Sequence, residues 1–398
     1  MSLVNKIHRL GGTAGDLAHP RVALTTIFAV HGFVYASWAV RVPAVKQQTG
    51  ATPAQLGFAL LGLSAGAVVT MLIAGALCRR FGSQRLTATS CALLCLTLPL
   101  PAFAHSAVAL GLALLVFGAA YGFLNVAMNS VAVDMVAALR RPVMPSFHAA
   151  WSFGGLAGAG VGGLLAPHLP ADTHLMLVAL AGLAVSAAAG RTLVKDGVPS
   201  RATPEARLTG GSSGAWRGVL RTVQAVGLFG LIALCAAYDE GAVGDWGALH
   251  LRQDLGAGPG LAAAGYAVFA LAEATGRLSG TTLLERLGRT RVLVVGSLTA
   301  CAGMLAAALA PDVWLALAGF AATGAGLANL FPAAMARAGL LAGSGGVAVA
   351  STLGYTGFLL GPPVIGLLAS EFSLRAGLVT LSFLALVAAL VALVTRKD

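Results

Sequence analysis

Charge is what this sequence has least of. Asp, Glu, Lys and Arg make up 10% of its 398 residues, against about 25% in an ordinary soluble domain. Acid is scarcer still, with 14 Asp and Glu beside 25 Lys and Arg. Cysteine is sparse as well. Cys78, Cys91, Cys95, Cys235 and Cys301 form no CxxC and no CxxC…HxxxH spacing, so they support neither a disulfide framework nor a metal centre and read as small core residues. HExxH and P-loop spacings are missing too, which argues against a metalloprotease and a nucleotide-driven pump. No residue is read as catalytic, and no cofactor or metal is implied.

What fills the chain instead is apolar sequence, 58% of all residues. A helix needs about 20 largely apolar residues to cross the hydrocarbon core of a bilayer. Twelve stretches meet that need, at about 22–44, 54–78, 86–104, 107–133, 144–166, 174–194, 222–249, 260–283, 291–310, 313–336, 346–369 and 373–394. The last of them carries Arg375 near its start and no other charge. A soluble core explains one buried helix of this kind, not twelve. The expected fold is all-α, with lipid as the solvent.

Net charge of +11 suggests nucleic acid at first sight, but its placement argues otherwise. With the N-terminus in the cytoplasm, 20 of the 25 basic residues fall on inner segments, among them Lys6, Arg9, Arg79, Arg80, Arg85, Arg140, Arg141, Arg201, Arg207, Arg286, Arg289 and Lys397. Outer segments hold Arg41, Lys46, Arg252 and Arg375, and Arg277 lies within a span. This asymmetry is the positive-inside pattern, which sets orientation. Both termini are therefore expected in the cytoplasm, and no nucleic-acid partner is expected. Lys6 and Arg9 before an apolar run imitate a signal peptide, but the first span has a counterpart later in the chain and reads as a helix of the fold.

The long hydrophilic stretch from Lys195 to Trp216, rich in Gly, Ser, Pro and Arg, reads as a cytoplasmic linker. It divides the chain into an N-terminal six-helix bundle (1–194), a linker (195–221) and a C-terminal six-helix bundle (222–398). The halves carry matching landmarks. Ser37-Trp38-Ala39 answers Asp245-Trp246-Gly247, Arg80-Phe81-Gly82-Ser83-Gln84-Arg85 answers Arg286-Leu287-Gly288-Arg289-Thr290-Arg291, and Gly122-Phe123-Leu124-Asn125 answers Gly326-Leu327-Ala328-Asn329. Two pseudo-symmetric bundles are a common plan of secondary transporters, whose shared interface opens to each side in turn.

On these residues the chain resembles the major facilitator superfamily over its whole length, and within it the bacterial branch of fucose-permease-like proteins. The family's loop motif Gly-x-Leu-x-Asp-Arg-x-Gly-Arg-Arg is matched by Gly75 through Arg85, with Arg79 where the acid belongs. The second copy keeps the acid as Glu285, with Arg286 and Gly288, and has Thr281 in place of the glycine. Further matches to the branch are Ser37 through Pro43, Ser146 through Ser152, Glu240-Gly241 through Asp245-Trp246, and Gly354-Tyr355 through Gly361-Pro362-Pro363. The resemblance implies an inner gate built from Gly75, Arg79, Arg80, Gly82, Arg85, Asp134, Glu285 and Arg286.

Interruptions of the apolar background are the candidate site. Asp239 and Glu240 lie within the seventh span, where an ionised acid costs about 2.5–3.5 kcal/mol and so faces a cavity or a partner. Low-dielectric surroundings and a neighbouring like charge both favour the protonated acid, the property a proton carrier needs. The two readings are proton coupling (or recognition of a cationic group) and a structural hydrogen bond, and the family pattern falls on Glu240. Glu273 and Arg277, one turn apart in the eighth span, form either a self-neutralised structural pair or part of the same machinery.

Substrate-facing candidates follow from helical spacing: His31, Tyr35 and Trp38 in the first span, and Asn125 and Asn129 on a stripe with Gly118 and Gly122 in the fourth. His148 and Trp151 share a face of the fifth with Ser152, and Tyr355 and Phe358 come from the eleventh. Asn329 is the repeat counterpart of Asn125. Rings beside amide and imidazole groups suit a small, hydroxylated, sugar-like solute; packing between helices is the competing reading for each residue singly. Glycines four apart, such as Gly154-x3-Gly158-x3-Gly162 and Gly357-x3-Gly361, resemble an antiporter motif, but their appearance in both halves favours a hinge or close helix packing. The expectation is a monomeric secondary transporter of the bacterial inner membrane, working by alternating access and driven by protons. Proton-antiport efflux is the alternative; a transporter-derived sensor or an intramembrane enzyme is a remote one.

Overall fold

The structure, a computed structural model, describes residues 17–166, 168–199 and 213–397. Lys6, Arg9, Arg201 and Arg207 of the inner basic set lie outside the described residues. Among the described residues twelve α-helices run in order: α1 Ala18–Thr49, α2 Pro53–Phe81, α3 Ser83–Thr97, α4 Ala107–Leu139, α5 Met144–Leu165, α6 Ala171–Asp196, α7 Ser213–Gln253, α8 Pro259–Leu287, α9 Arg289–Ala308, α10 Val313–Leu327, α11 Leu330–Glu371 and α12 Leu374–Val394. No strand occurs among the described residues. This is the all-α class expected, since a helix satisfies its own backbone hydrogen bonds where lipid offers none.

Helix ends follow local chemistry. Thr52 opens α2 with a reciprocal cap, its hydroxyl accepting from Gln55 N (3.2 Å) while Gln55 Oε1 accepts from Thr52 N (3.0 Å). Ser106, Asp312 and Ser373 cap α4, α10 and α12 one way, a side-chain oxygen accepting from amides of the first turn. Gly82 and Gly288 occupy equivalent turns in the two halves with φ of 89° and 78°, a region glycine enters without strain.

Three boundaries differ from the sequence expectation, each for a backbone reason. The third span is not one α-helix: α3 stops at Thr97 and a 3-10 turn covers Leu100–Phe103, where Pro99 and Pro101 supply no amide donors. The tenth span breaks at Ala328–Asn329 between α10 and α11. Pro332 has no N–H for the Ala328 carbonyl, so the helix cannot run through. α11 then passes the expected boundary between the tenth and eleventh spans, bending at Ala342 and Gly343, the latter with φ 57° and ψ −146°. The expected linker is entered by helix from both sides, α6 reaching Asp196 and α7 starting at Ser213; 200–212 lie outside the described residues.

Nine helical segments among the described residues are long and apolar enough to cross a membrane, one of them running from Val313 to Glu371 across the α10–α11 break. α5 and α8 are not among them. These two helices carry Trp151, Ser152, Glu273 and Arg277, four residues of the candidate site.

The chain forms two compact units. One contains α1, α3, α4, α6, α2 apart from Met71–Gly75, and α5 from Phe153 onward. In it α1 packs on α4 and α6, and α3 packs on the same two helices. α2 meets α4 backbone to backbone: a Cβ at Gly62 would strike the Gly111 carbonyl, and one at Gly118 the Leu63 carbonyl. The second unit contains α7–α12 with Pro142–Ser152 and Met71–Gly75. There α7 packs on α8, α10, α11 and α12, and α9 on α10 and α12.

Candidate functional site

In the first unit the rings of His31 and Tyr121 lie 4.3 Å apart by centroid, and those of Tyr35 and Tyr121 lie 5.6 Å apart. His31 is buried and Tyr35 exposed, so the group grades from the helix interior toward an open face. Asn125 follows Tyr121 by one helical turn on α4 and is half-buried, its Oδ1 without a hydrogen-bond partner among the described residues. Tyr121 was not among the candidates. Its signal was its position four residues before Asn125, on the same helical face. Asn129 is buried and turns its amide back onto the Asn125 carbonyl (2.8 Å), and Trp38 is buried. The expected polar stripe of α4 needs a correction, since Gly118 and Gly122 lie against the α2 backbone rather than beside an open face.

In the second unit Arg277 is the centre. Its Nη2 lies 2.6 Å from Glu273 Oε1 and 3.6 Å from Glu240 Oε2, its Nη1 donates to Ser152 Oγ, and its guanidinium sits 6.0 Å over the Trp151 ring. Arg277 and Glu273 are buried and Glu240 is nearly so. Glu273 and Arg277 are thus not a self-contained pair: two carboxylates share one guanidinium. With both ionised the cluster carries a net charge of −1, and one proton or one cationic group balances it. A buried charge of this kind is costly unless compensated. His148 lies one helical turn before Ser152 and packs edge-on against Phe331 at 5.6 Å. Phe358 is exposed and lies against Gly241, next to Glu240; Tyr355 is half-buried one turn earlier on α11.

Asp239 parts from Glu240, as a step of about 100° per residue requires. It is buried, interacts electrostatically with Cys235 and with Cys301 of α9, and its Oδ1 has no hydrogen-bond partner among the described residues. Asn329 is likewise tied elsewhere. It sits at the break before α11 and donates to the Gly276 carbonyl of α8 (3.1 Å).

Among the loop residues of the expected gate, Arg79, Arg80, Arg85, Glu285 and Arg286 are exposed, and Arg80 stacks on Phe81 at 5.3 Å. Asp134 is half-buried within electrostatic reach of Cys78, beside Arg79. Gly75 is buried, and its carbonyl accepts from Ser344 Oγ at 3.0 Å.

The glycines resembling an antiporter motif have a packing role. A Cβ at Gly154 or Gly158 would collide with the carbonyls of Ala29 and Phe33 on α1, and one at Gly357 with that of Leu234 on α7.

Comparison with known proteins agrees with this architecture. The family model described as Major Facilitator Superfamily matches residues 23–239 and 229–398. An uncharacterised MFS-type transporter of Yersinia pestis is 34% identical over 397 residues, covering 98% of this chain and 99% of its own. Among solved structures, the Escherichia coli fucose:proton symporter FucP superposes with a TM-score of 0.76 at 16% identity, covering 96% of this chain and 99% of that one. The proton:xylose symporter XylE does so with a TM-score of 0.72 at 12% identity, covering 95% of each. At such identities the structural matches establish the fold alone. The family match, the full-length relative and the twelve helices together place the chain in the major facilitator superfamily, as a multi-pass membrane transporter.

Proposed function

We propose that this transporter moves a small polar organic solute, sugar-like in its hydroxyl content, across the bacterial cytoplasmic membrane with both termini inside. It works by alternating access and is coupled to protons through Glu240. The observation that carries the coupling is the sharing of Arg277 by Glu240 and Glu273, at 3.6 and 2.6 Å. Taking up one proton neutralises the cluster. Glu240 is the better carrier of the two, because its contact to Arg277 is the longer one and Glu273 holds the short, directed bond. Asp239 is a secondary candidate within the same helix. In the first unit the ring and amide groups of His31, Tyr35, Tyr121 and Asn125 are the proposed solute contacts; in the second unit, taken by itself, they are Trp151 and His148. FucP and XylE, which share the fold, carry the names of proton-coupled sugar symporters.

The test is Glu240→Gln in sealed vesicles under an imposed proton gradient. Loss of solute accumulation, with exchange of solute across the membrane retained, is the expected result. Unchanged accumulation would remove Glu240 from the coupling step. A thermal-shift screen of hydroxylated solutes, run at two pH values, identifies the solute, and inside-out vesicles separate import from export.

A further inference from the structure

The end of α7 away from the linker holds a titratable group that neither the solute nor the coupling reading uses. His250 is completely buried in the last turn of α7. Its Nδ1 lies 2.6 Å from Asp254 Oδ2, and its Nε2 lies 3.0 Å from the carbonyl oxygen of Ala307, at the end of α9. Arg375 of α12 reaches the same residue, its Nε 3.9 Å from Asp254 Oδ2 and its Nη2 donating to the Asp254 carbonyl at 3.2 Å.

Both ring nitrogens therefore face oxygen acceptors. A neutral imidazole has one N–H and one lone pair, so one of the two contacts would set a lone pair against an oxygen. Both become hydrogen bonds only when the His250–Asp254 pair holds one more proton than neutral imidazole plus carboxylate. That proton is placed on the ring, so that both nitrogens carry a hydrogen. Two helix C-termini act in the same direction. His250 is in the last turn of α7 and its Nε2 meets the last turn of α9, where the partial negative charge of each helix favours a cation. The α7 end is itself sealed by Gly256 at φ 67° and by Ala257 N donating to the Leu251 carbonyl at 2.8 Å, which holds Asp254 in place.

We propose that His250 and Asp254 form a proton-binding site that clasps the ends of α7, α9 and α12 together. The other charged or titratable groups at this end of the helices packed on α7 are Tyr266 of α8, Asp312 before α10, Glu371 of α11 and Arg375 of α12, with Asp245 and Arg252 on α7 itself. The Asp312 carboxylate is engaged by the amides of Trp314 and Leu315, while Glu371, Arg252, Asp245 and Tyr266 are exposed. Asp254 is the ion-pair partner of His250 among the described residues. Glu240 lies on the same helix, about 15 Å away at 1.5 Å per residue, so the clasp fixes one end of the helix that carries the proposed coupling acid. Removing the proton turns one contact repulsive and loosens the α7–α9 tie.

The experiment uses the purified full-length protein with its histidines labelled with heavy nitrogen. The His250 signal is assigned as the one that vanishes in His250→Gln or moves in Asp254→Asn. In the wild type at neutral pH both ring nitrogens of His250 are expected to carry protons, and in Asp254→Asn one of them loses its proton. An unprotonated ring nitrogen on wild-type His250 at neutral pH overturns the proposal. Thermal unfolding gives the second reading. Asp254→Asn is expected to unfold below the wild type; equal unfolding temperatures overturn the clasp. If His250→Gln fails to fold, the wild-type spectrum and Asp254→Asn still decide.

Discussion

Arg277 shows how much a single buried side chain organises. It satisfies two acids, a hydroxyl and an aromatic face from three helices. Removing it leaves two carboxylates facing each other without compensation, and breaking a buried pair in this way costs about 3–5 kcal/mol. Arg277→Ala is therefore expected to unfold well below the wild type in a thermal scan, and adding Glu273→Gln to restore part of the loss. Arg41 is a second case. It stands on the expected outer side, against the charge bias. Its Nε donates to His174 Nδ1 (2.9 Å) and its Nη1 to the Leu169 carbonyl (3.0 Å) and, more loosely, to that of Ala166, just past the end of α5. A cation at this point meets carbonyls of the turn that follows α5. Arg41→Ala should lose about 1–3 kcal/mol, read as a lower unfolding temperature. That an Arg lay at position 41 was plain from sequence. That it closes the end of α5 was not, because its acceptors lie more than a hundred residues away along the chain.

At the scale of elements, close helix approach depends on particular glycines. Gly118 and Gly122 on α4 face the α2 backbone, and Gly324 on α10 faces the α8 backbone near Glu273, so the same device recurs in both halves. In lipid no hydrophobic force drives helices together, and short backbone contact takes its place. Gly118→Ala and Gly158→Ala are expected to destabilise by about 1–3 kcal/mol through overpacking, while Gly160→Ala, where a Cβ meets nothing within 4 Å, should behave as the wild type in the same unfolding assay. Glycine spacing alone did not show what these residues touch; the neighbouring carbonyls of α1 and α7 show the packing contact. The break before α11 had a readable cause, Pro332, but hydropathy passes smoothly over it. The turn of α11 at Gly343 was equally hidden, since a φ of 57° is a property of the folded backbone and not of composition.

At the scale of the whole molecule, hydropathy and charge bias carry most of the argument. The orientation proposed from the inner basic segments predicts that a tag after Asp398 is cleaved by added protease in inside-out vesicles and protected in right-side-out ones; the reverse pattern would invert the topology. Twelve helices, the repeated landmarks and the family were determined by the sequence alone, because transfer of apolar segments into lipid and the local chemistry of caps and prolines act along a contiguous stretch of chain. Partner choice was decided only by the tertiary structure. Adjacent acids Asp239 and Glu240 look equivalent in sequence, yet Glu240 joins Arg277 while Asp239 is buried apart from it with Oδ1 lacking a hydrogen-bond partner among the described residues. His250 drew no notice until α9 brought the Ala307 carbonyl against it. The physical reason is range: a helix forms from residues within one turn of each other, whereas a buried charge is defined by whatever distant helices place beside it.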